Sequence, residues 1–304
     1  MVSGIKTLTA TEPVRLDVFI SSKIKSYTRS YFTNLISDGK VTVNDKVVTK
    51  AGYKLAPGDA ISVDIPEPQS DDAVAQDIPL DILYEDDDLI IINKPQGMVV
   101  HPAAGHSDGT LVNALLKHCG DNLSDINGIV RPGIVHRIDK DTSGVMMAVK
   151  NNETHIKISE MMSRHEIERI YRTVVYGIVS EEKGTIDAPI GRSNKDRRKM
   201  TVTTDGKPSI THFEVISRYR EGTDMKVVLE TGRTHQIRAH MTYIGHPVLG
   251  DPLYASKRSA FGLEGQCLHS KSIRFIHPRT GEELYFESEL PDYYVDLLNR
   301  LTPL

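Results

Sequence analysis

The sequence predicts an α+β protein with a mixed, mostly antiparallel sheet, preceded by a small α/β module. Strand-like and helix-like stretches follow one another without regular β-α-β alternation, and an acidic, proline-containing segment separates two compositionally ordinary parts. Hydrophobic residues make up 39% and charged residues 26% of the 304-residue chain, as in globular proteins. We therefore expect a small domain at 1–66, a linker at 67–79 and a large domain at 80–304.

Charge is distributed unevenly along the chain. Residues 1–66 hold nine Lys and Arg against six Asp and Glu, whereas residues 67–88 hold nine acids and no base. The net charge of −4 thus conceals two mildly basic parts, which are compatible with an RNA partner without requiring one. The acidic segment is interpreted as an interdomain linker, and a surface loop within one domain is the alternative.

The first part combines helical and strand patterns. Residues 28–40 place Phe32, Leu35 and Ile36 on one face of a helix that ends at Gly39, and Thr28 or Ser26 would cap its start. Residues 41–50 alternate around an Asn-Asp turn, which predicts a hairpin, and 60–65 alternate as a strand.

Basic residues, Arg29 and Lys40 among them, lie near the predicted helix starts and the hairpin, where one face could contact phosphates. Residues 13–65 resemble the S4 RNA-binding domain in 15-RLDVFI-20, in the arginine of the second helix and in the run D-G-x-V-x-V-N. A solvated basic face of a small α/β module is the alternative.

The second part begins with the apolar run 89–92, which predicts a buried strand. Thr110 is expected to cap a helix that extends to Cys119. Further elements are a helix at 152–164 and strands at 145–149 and 173–179.

Several classes of protein are excluded at this stage. No apolar run approaches the roughly 18 residues that span a bilayer, and the first twenty residues lack a secretory apolar stretch. Two cysteines are too few for a disulfide framework or a cysteine zinc site, and no glycine-rich nucleotide motif is present. We expect a cytoplasmic monomer without membrane contact, metal or nucleotide cofactor.

Three polar stretches lie beside apparent buried strands. In 136-HRIDKDTSG-144, Asp139 lies between Arg137 and Lys140, which favours its ionised form, although a salt-bridged surface loop fits as well. In 169-RIYRTVVYGIV-179, Tyr171 and Tyr176 face opposite sides of a strand, so one could stack on a base or both could be ordinary sheet residues. In 231-TGRTHQIRAH-240, Arg238 lies in an apolar context and needs an anionic partner, for which Asp139 is the candidate.

These three motifs, in this order, resemble the signature motifs of the RluA family of pseudouridine synthases, and the resemblance covers about 80–290. Residues 95–116 and 265–278 further resemble the branch of the family that acts on large-subunit ribosomal RNA. The resemblance implies the pseudouridine synthase fold, a ribosomal RNA substrate and a reaction that needs no cofactor.

The resemblance also implies roles for individual residues. Asp139 matches the catalytic aspartate, Tyr171 the tyrosine that stacks on the target uracil, and Arg238 the arginine that pairs with the aspartate, expected here to grip it at two points. His136, Arg137 and Thr142 match positions that shape the loop and the RNA approach.

The loop 191–200 is expected to be a basic flap over the RNA, with a solvated hairpin tip as the alternative. The remaining predicted RNA-binding residues are Arg192, Arg197, Arg198, Lys199, Arg233, His235 and Gln236, together with Arg29 and Lys40.

Two other functions remain open at this point. The same chemistry could act on transfer RNA, or the chain could be a non-catalytic RNA-binding or ribosome-assembly factor. The presence of Asp139, Tyr171 and Arg238 together argues against the second of these, because a binding protein does not need all three. Whether Asp139 adds covalently to the sugar or removes a proton from it is not decided by the sequence.

Overall fold

The computed structural model describes residues 4–24, 27, 29–65, 73–102, 108–120, 122–126, 132–255 and 261–304. The predicted caps Thr28 and Ser26 and the first half of the predicted linker lie outside the described residues. Within these ranges no helix is both long enough and apolar enough to cross a bilayer.

The N-terminal part consists of a four-stranded antiparallel sheet in the order β1-β4-β2-β3 and two helices that share its core. Its elements are β1 (Gly4–Thr9), α1 (Leu16–Lys23), α2 (Arg29–Ser37), β2 (Val41–Val43), β3 (Lys46–Val47) and β4 (Ala60–Ile65). The predicted helix, hairpin and strand are confirmed, and Phe32 and Ile36 are fully buried. Asn44 and Asp45 both have positive φ, as a tight hairpin turn requires.

The second part is built on a nine-stranded sheet in the order β5-β6-β7-β14-β8-β13-β12-β9, with β15 paired to β14. Among the described pairings of this sheet, only that of β7 with β14 is parallel. The α+β class with a mixed, mostly antiparallel sheet is therefore confirmed. The strands are β5 (Ile82–Glu85), β6 (Leu89–Lys94), β7 (Ser143–Val149), β8 (Glu168–Tyr176), β9 (Lys183–Asp187), β12 (Ile210–Arg218), β13 (Gly222–Leu229), β14 (Leu268–Ile276) and β15 (Glu283–Glu287).

Among the described residues, a separate antiparallel ribbon and four helices complete this part. They are β10 (Ile190–Arg192), β11 (Met200–Val202), α3 (Leu111–Cys119), α4 (Asn152–Ser163), α5 (Gln236–Tyr243) and α6 (Asp292–Arg300). Thr110 caps α3 in a reciprocal capping box with Asn113, as predicted. The strand expected at 173–179 instead begins at Glu168, and Tyr171 and Tyr176 belong to two different core clusters, on opposite faces.

The second half of the predicted linker is bound to the large domain. The side chain of Asn113 in α3 donates to the backbone carbonyl of Val74 (2.7 Å). The backbone carbonyl of Asn113 accepts from the amide of Gln76 (3.0 Å). Ala73 and Leu80 pack against the main core. Val74 and Gln76 are therefore bound to α3, and the interpretation of 67–79 as an interdomain linker stays a prediction.

Gly144 allows β7 and β14 to approach each other at the centre of the sheet. Its φ is +108°, and a Cβ at this position would overlap the carbonyl oxygen of Ser270 in β14. Because only glycine combines this backbone conformation with such a close neighbour, any other residue would separate the two strands. The loop that carries Asp139 ends immediately before this contact.

Candidate active site

Asp139 lies on the loop that leads into β7. The Thr142 amide donates to the carbonyl of Asp139 (3.1 Å), which closes the turn, and the side chain of Gln266 donates to the Thr142 hydroxyl (3.1 Å). The side chain of Asp139 is 17% exposed. The loop is thus fixed by bonds within the protein, while the carboxylate at its tip keeps access to solvent.

A buried lysine fastens this loop to the one after β6. Lys94 Nζ donates to the carbonyls of Pro95 (2.7 Å), Met98 (2.8 Å) and Lys140 (3.0 Å). Burial lowers the pKa of Lys94 to about 7, against the charges of Asp141 and Asp139, which raise it. Lys94 was not predicted as a site residue, because a lysine at a strand end usually points into solvent.

Arg238 connects two carboxylates. Its NH1 group donates to Oδ2 of Asp139 (2.8 Å), whereas Nε and NH2 donate to the two oxygens of Asp251 (2.7 and 3.0 Å). The predicted pairing with Asp139 is present, but the expected two-point grip is on Asp251. Burial lowers the pKa of Arg238, and the bonds and charges of Asp251 and Asp139 outweigh it, so the pKa lies above its usual value.

Asp251 orients this arginine and was not predicted as a site residue. Its carboxylate is fully buried and also accepts from the amides of Leu253 and Tyr254, both at 2.9 Å. Because Asp251 binds Nε and NH2 on one side of the guanidinium, the third nitrogen, NH1, is directed at Asp139.

His235 lies on the other side of Asp139. It precedes α5 in the left-handed conformation (φ 54°), and its Nε2 is 3.9 Å from Oδ1 of Asp139. Its Nδ1 lies 3.1 Å from the hydroxyl of Tyr254. Burial lowers the pKa of His235, opposed by the charge of Asp139, so the imidazole is mostly neutral at pH 7.

Asp139, Arg238 and His235 line a cavity of about 240 Å³. This volume is below the roughly 300–1,000 Å³ of sites for drug-sized ligands, which suits a single base better than a larger ligand. Its walls include Val99, Val100, Arg137, Asp139, His235 and Arg238.

Tyr171 lies near this cavity but does not line it. The side chain is on the face of β8 that packs into the main core, and the residue is only 6% exposed. Burial raises the pKa of Tyr171, so the phenol is neutral. The stacking role predicted for this ring would require that the base reach it through a rearrangement of the pocket wall.

Three residues predicted to contact RNA have protein partners instead. His136 Nε2 accepts from the amide of Met147 (3.0 Å), and burial lowers its pKa to about 3. Thr142 is buried against Gln266. Gln236 is buried and bonds to Thr231, to the amide of Arg233 and to Ile210. Each of these polar motif residues stabilises the backbone that carries the site. The position of a residue in the sequence does not distinguish this role from RNA contact.

The other predicted RNA contacts lie on the surface. We name residues 190–202 the basic hairpin. Arg192 ends its strand β10, and Arg197 and Arg198 lie in the segment that connects β10 to β11; all three are exposed, and Arg198 pairs with Asp196 (2.9 Å). Lys199 lies over the ring of Tyr254 (5.6 Å), and Arg233 is exposed and donates to the carbonyl of Pro208 (3.2 Å). In the N-terminal part, Arg29 pairs with buried Asp17 (2.7 Å) and Lys40 with exposed Asp64 (3.3 Å).

One group within the described ranges has the composition of a metal site. Asp86, Asp88 and His277 place their ligand atoms within 4.8 Å of one another. Both carboxylates already accept protein hydrogen bonds, Asp86 from Tyr84 and Asp88 from Asn151 and Arg279. The cluster lies at the opposite end of β6 from Lys94, so we assign it no part in the chemistry at Asp139.

Comparison with known proteins agrees with this geometry. Residues 88–243 match the family described as RNA pseudouridylate synthase, and residues 14–61 match the S4 domain. The uncharacterized RNA pseudouridine synthase YlyB of Bacillus subtilis is 50% identical over 287 residues, which cover 94% of each chain. Ribosomal large subunit pseudouridine synthase D of Zymomonas mobilis is 44% identical over 287 residues, covering 91% of this chain and 90% of that one.

A solved structure shares the fold. Human RNA Pseudouridylate Synthase Domain Containing 1 superposes with a TM-score of 0.59 at 23% identity, covering 79% of this chain and 92% of that one.

Proposed function

This chain belongs to the RNA pseudouridylate synthase family, and on that premise we propose that it isomerises uridines of large-subunit ribosomal RNA, with Asp139 as the catalytic carboxylate. The observation that carries the proposal is the Asp139–Arg238 pair at the edge of a base-sized cavity. The ribosomal substrate is supported by relatives named ribosomal large subunit pseudouridine synthase D, which are 40–44% identical over most of the chain.

Isomerisation breaks the bond between C1′ of the ribose and N1 of uracil, turns the base and forms a bond from C1′ to C5. The hydrogen of C5 then leaves as a proton, and N1 gains a proton. The composition of the nucleotide does not change, so the reaction consumes no reductant and no group donor. Because the bond is inaccessible within a stacked helix, the nucleotide must leave the stack, at a cost of about a few kcal/mol.

The site can supply one reactive oxygen. Arg238 bonds to Oδ2 of Asp139, so the other oxygen, Oδ1, remains available to the substrate. This oxygen could add to C1′ or remove a sugar proton, and both steps need a carboxylate that stays ionised when RNA covers the cavity. Arg238, held by Asp251 from behind, supplies the fixed positive charge that this requires.

The surrounding surface would bind the RNA. Exposed Arg137 is at the cavity, Arg233 lies beyond it, and the basic hairpin adds further positive charge. The N-terminal module would add phosphate contacts through Arg29 and Lys40. We expect the protein to act on ribosomal RNA as a monomer in the cytoplasm. We also propose that Tyr171 contacts the uracil ring.

Mapping pseudouridines in ribosomal RNA tests the proposal. In cells without this protein, specific large-subunit positions should remain uridine, and the wild-type chain but not Asp139→Asn should restore them. Unchanged ribosomal RNA together with missing pseudouridines in transfer RNA would establish the alternative substrate. No change in either RNA would favour the non-catalytic binding factor.

A further inference from the structure

Tyr254 connects the basic hairpin to the catalytic loop. Its hydroxyl accepts a hydrogen bond from the amide of Met200 in β11 (2.7 Å) and lies 3.0 Å from the carbonyl of the same residue. It also lies 3.1 Å from Nδ1 of His235, whose Nε2 is 3.9 Å from Oδ1 of Asp139. Contacts of hydrogen-bond length thus join the hairpin backbone to His235 through Tyr254, and the imidazole faces Asp139 at 3.9 Å, beyond hydrogen-bond length.

Two cations also lie over the ring of Tyr254. Arg238 lies over it with Cζ 5.1 Å from the centroid, and Lys199 of the hairpin lies over it with Nζ at 5.6 Å. Cations at these distances are attracted by the ring face. The ring thus fixes the position of the hydroxyl, and replacing tyrosine by phenylalanine would remove the hydroxyl while keeping the ring contacts.

The hydroxyl has one hydrogen and two acceptors within reach. If it donates to the Met200 carbonyl, His235 must carry its hydrogen on Nδ1 to bond with the tyrosine oxygen, and Nε2 then faces Asp139 without a hydrogen. If it donates to Nδ1 instead, the neutral imidazole carries its hydrogen on Nε2 and directs it at Oδ1 of Asp139. Both arrangements contain the same number of protons.

We propose that Tyr254 is a positioning residue that couples docking of the basic hairpin to the state of Asp139 by selecting the tautomer of His235. With the hairpin docked, Met200 takes the tyrosine hydrogen and Oδ1 of Asp139 has no imidazole donor. With the hairpin displaced, the hydrogen on Nε2 of His235 points at that oxygen, and a small approach of the ring from its 3.9 Å separation forms a hydrogen bond that lowers the reactivity of the oxygen. The ligand that sets the hairpin position is the RNA phosphate backbone, so the inference rests on the proposed function.

Single-turnover rates at saturating RNA test the coupling. Tyr254→Phe should be about fivefold to tenfold slower than wild type, the effect of one lost hydrogen bond of about 1 kcal/mol or slightly more. Tyr285→Phe is the matched control, because it removes a hydroxyl that donates to Glu287 at an exposed site (2.7 Å). The control should react at the wild-type rate.

A double variant separates coupling from a merely structural role. If Tyr254 acts through His235, adding Tyr254→Phe to His235→Asn should cause no further loss of rate. Independent structural damage would instead multiply the two losses. Asparagine is chosen because it tolerates the left-handed backbone at this position.

Amide hydrogen exchange gives a readout without activity. The Met200 amide should exchange faster in Tyr254→Phe than in wild type, and RNA should slow its exchange in wild type more than in the variant. Wild-type rate and wild-type exchange in Tyr254→Phe would overturn this inference alone. A wild-type chain that binds RNA but forms no pseudouridine would overturn the proposed function.

Discussion

The Asp139 site and the N-terminal module each contain a buried charge between two opposite charges, but with the signs reversed. In the site, Arg238, 7% exposed, lies between Asp251 and the more accessible Asp139. In the module, Asp17, 3% exposed, lies between Arg15 and Arg29, both 53% exposed. Burial alone would raise the pKa of Asp17, and the bonds from the two arginines outweigh it and lower it.

This difference indicates what each region offers to RNA. A buried charge must keep its partners, because an unpaired charge in the interior is costly. The partner that reaches the surface is then held in a fixed direction. In the site that partner is a carboxylate, which can react, and in the module it is a guanidinium, which can bind phosphate.

The largest effect is expected for Asp139→Asn. We predict a fall in turnover of at least about a thousandfold with RNA affinity within a few-fold of wild type, because the amide cannot act as nucleophile or base. Single-turnover kinetics and equilibrium binding measure the two quantities. Turnover above about one thousandth of wild type would show that another group performs the reaction.

The next effect distinguishes two arginines of the same motif. Arg238→Met should lower the single-turnover rate at saturating RNA about a hundredfold, because Asp139 and Asp251 lose their shared cation. Arg233→Met should instead raise the RNA concentration needed for half-saturation, because this residue lies on the surface. Equal catalytic rates in the two variants would contradict the assignment.

Acid should destabilise the large domain before the module. Burial lowers the pKa of His136 to about 3 and those of His155 and His269 to about 4, below the usual 6.5. Between pH 6.5 and 4 the unfolded chain binds protons that the folded chain does not. The free energy of unfolding therefore decreases as the pH is lowered through this range. Each histidine contributes up to about 1.4 kcal/mol per pH unit.

Residues 1–100 contain no histidine, which makes the module an internal reference. Hydrogen exchange at pH 7 and pH 5 should show faster opening in the strands around β7 and β14, with β2 and β4 little changed. A uniform response of both regions would contradict this assignment of the acid sensitivity.

The smallest effect is expected for Lys40→Ala. One lost phosphate contact should reduce the slope of log affinity against log salt by about one, without changing the rate at saturating RNA. Lys157→Ala is the matched control, because Lys157 is also exposed and paired with an acid, Glu153 (2.7 Å). The same change of slope in both variants would mean that the effect is general electrostatics.

The sequence was sufficient for features with a local signal. The helix around Phe32, the Asn-Asp turn and the Thr110 cap depend on neighbouring residues, and the structure contains all three. The pairing of Arg238 with Asp139 was also predictable, because an arginine in an apolar context needs an acid and the motif supplied one.

Features that depend on distant residues were missed. Strand β1 pairs with β4, more than fifty residues later, and carries no strong pattern of its own. Helix α5 was hidden by its polar composition and starts after a histidine instead of a usual cap. Lys94 binds backbone carbonyls, and Asp251 binds guanidinium and amide nitrogens. The fold brings these partners together, and no spacing in the sequence predicts them.

The position of β14 has a consequence for synthesis of the chain. This strand lies between β7 and β8 in the sheet, yet the ribosome makes it more than ninety residues after β8. Until it emerges, β7 and β8 have open edges, and Gly144 has no Ser270 to meet. The loop that carries Asp139 therefore gains the strand that packs beside Gly144 only after β14 has been synthesised.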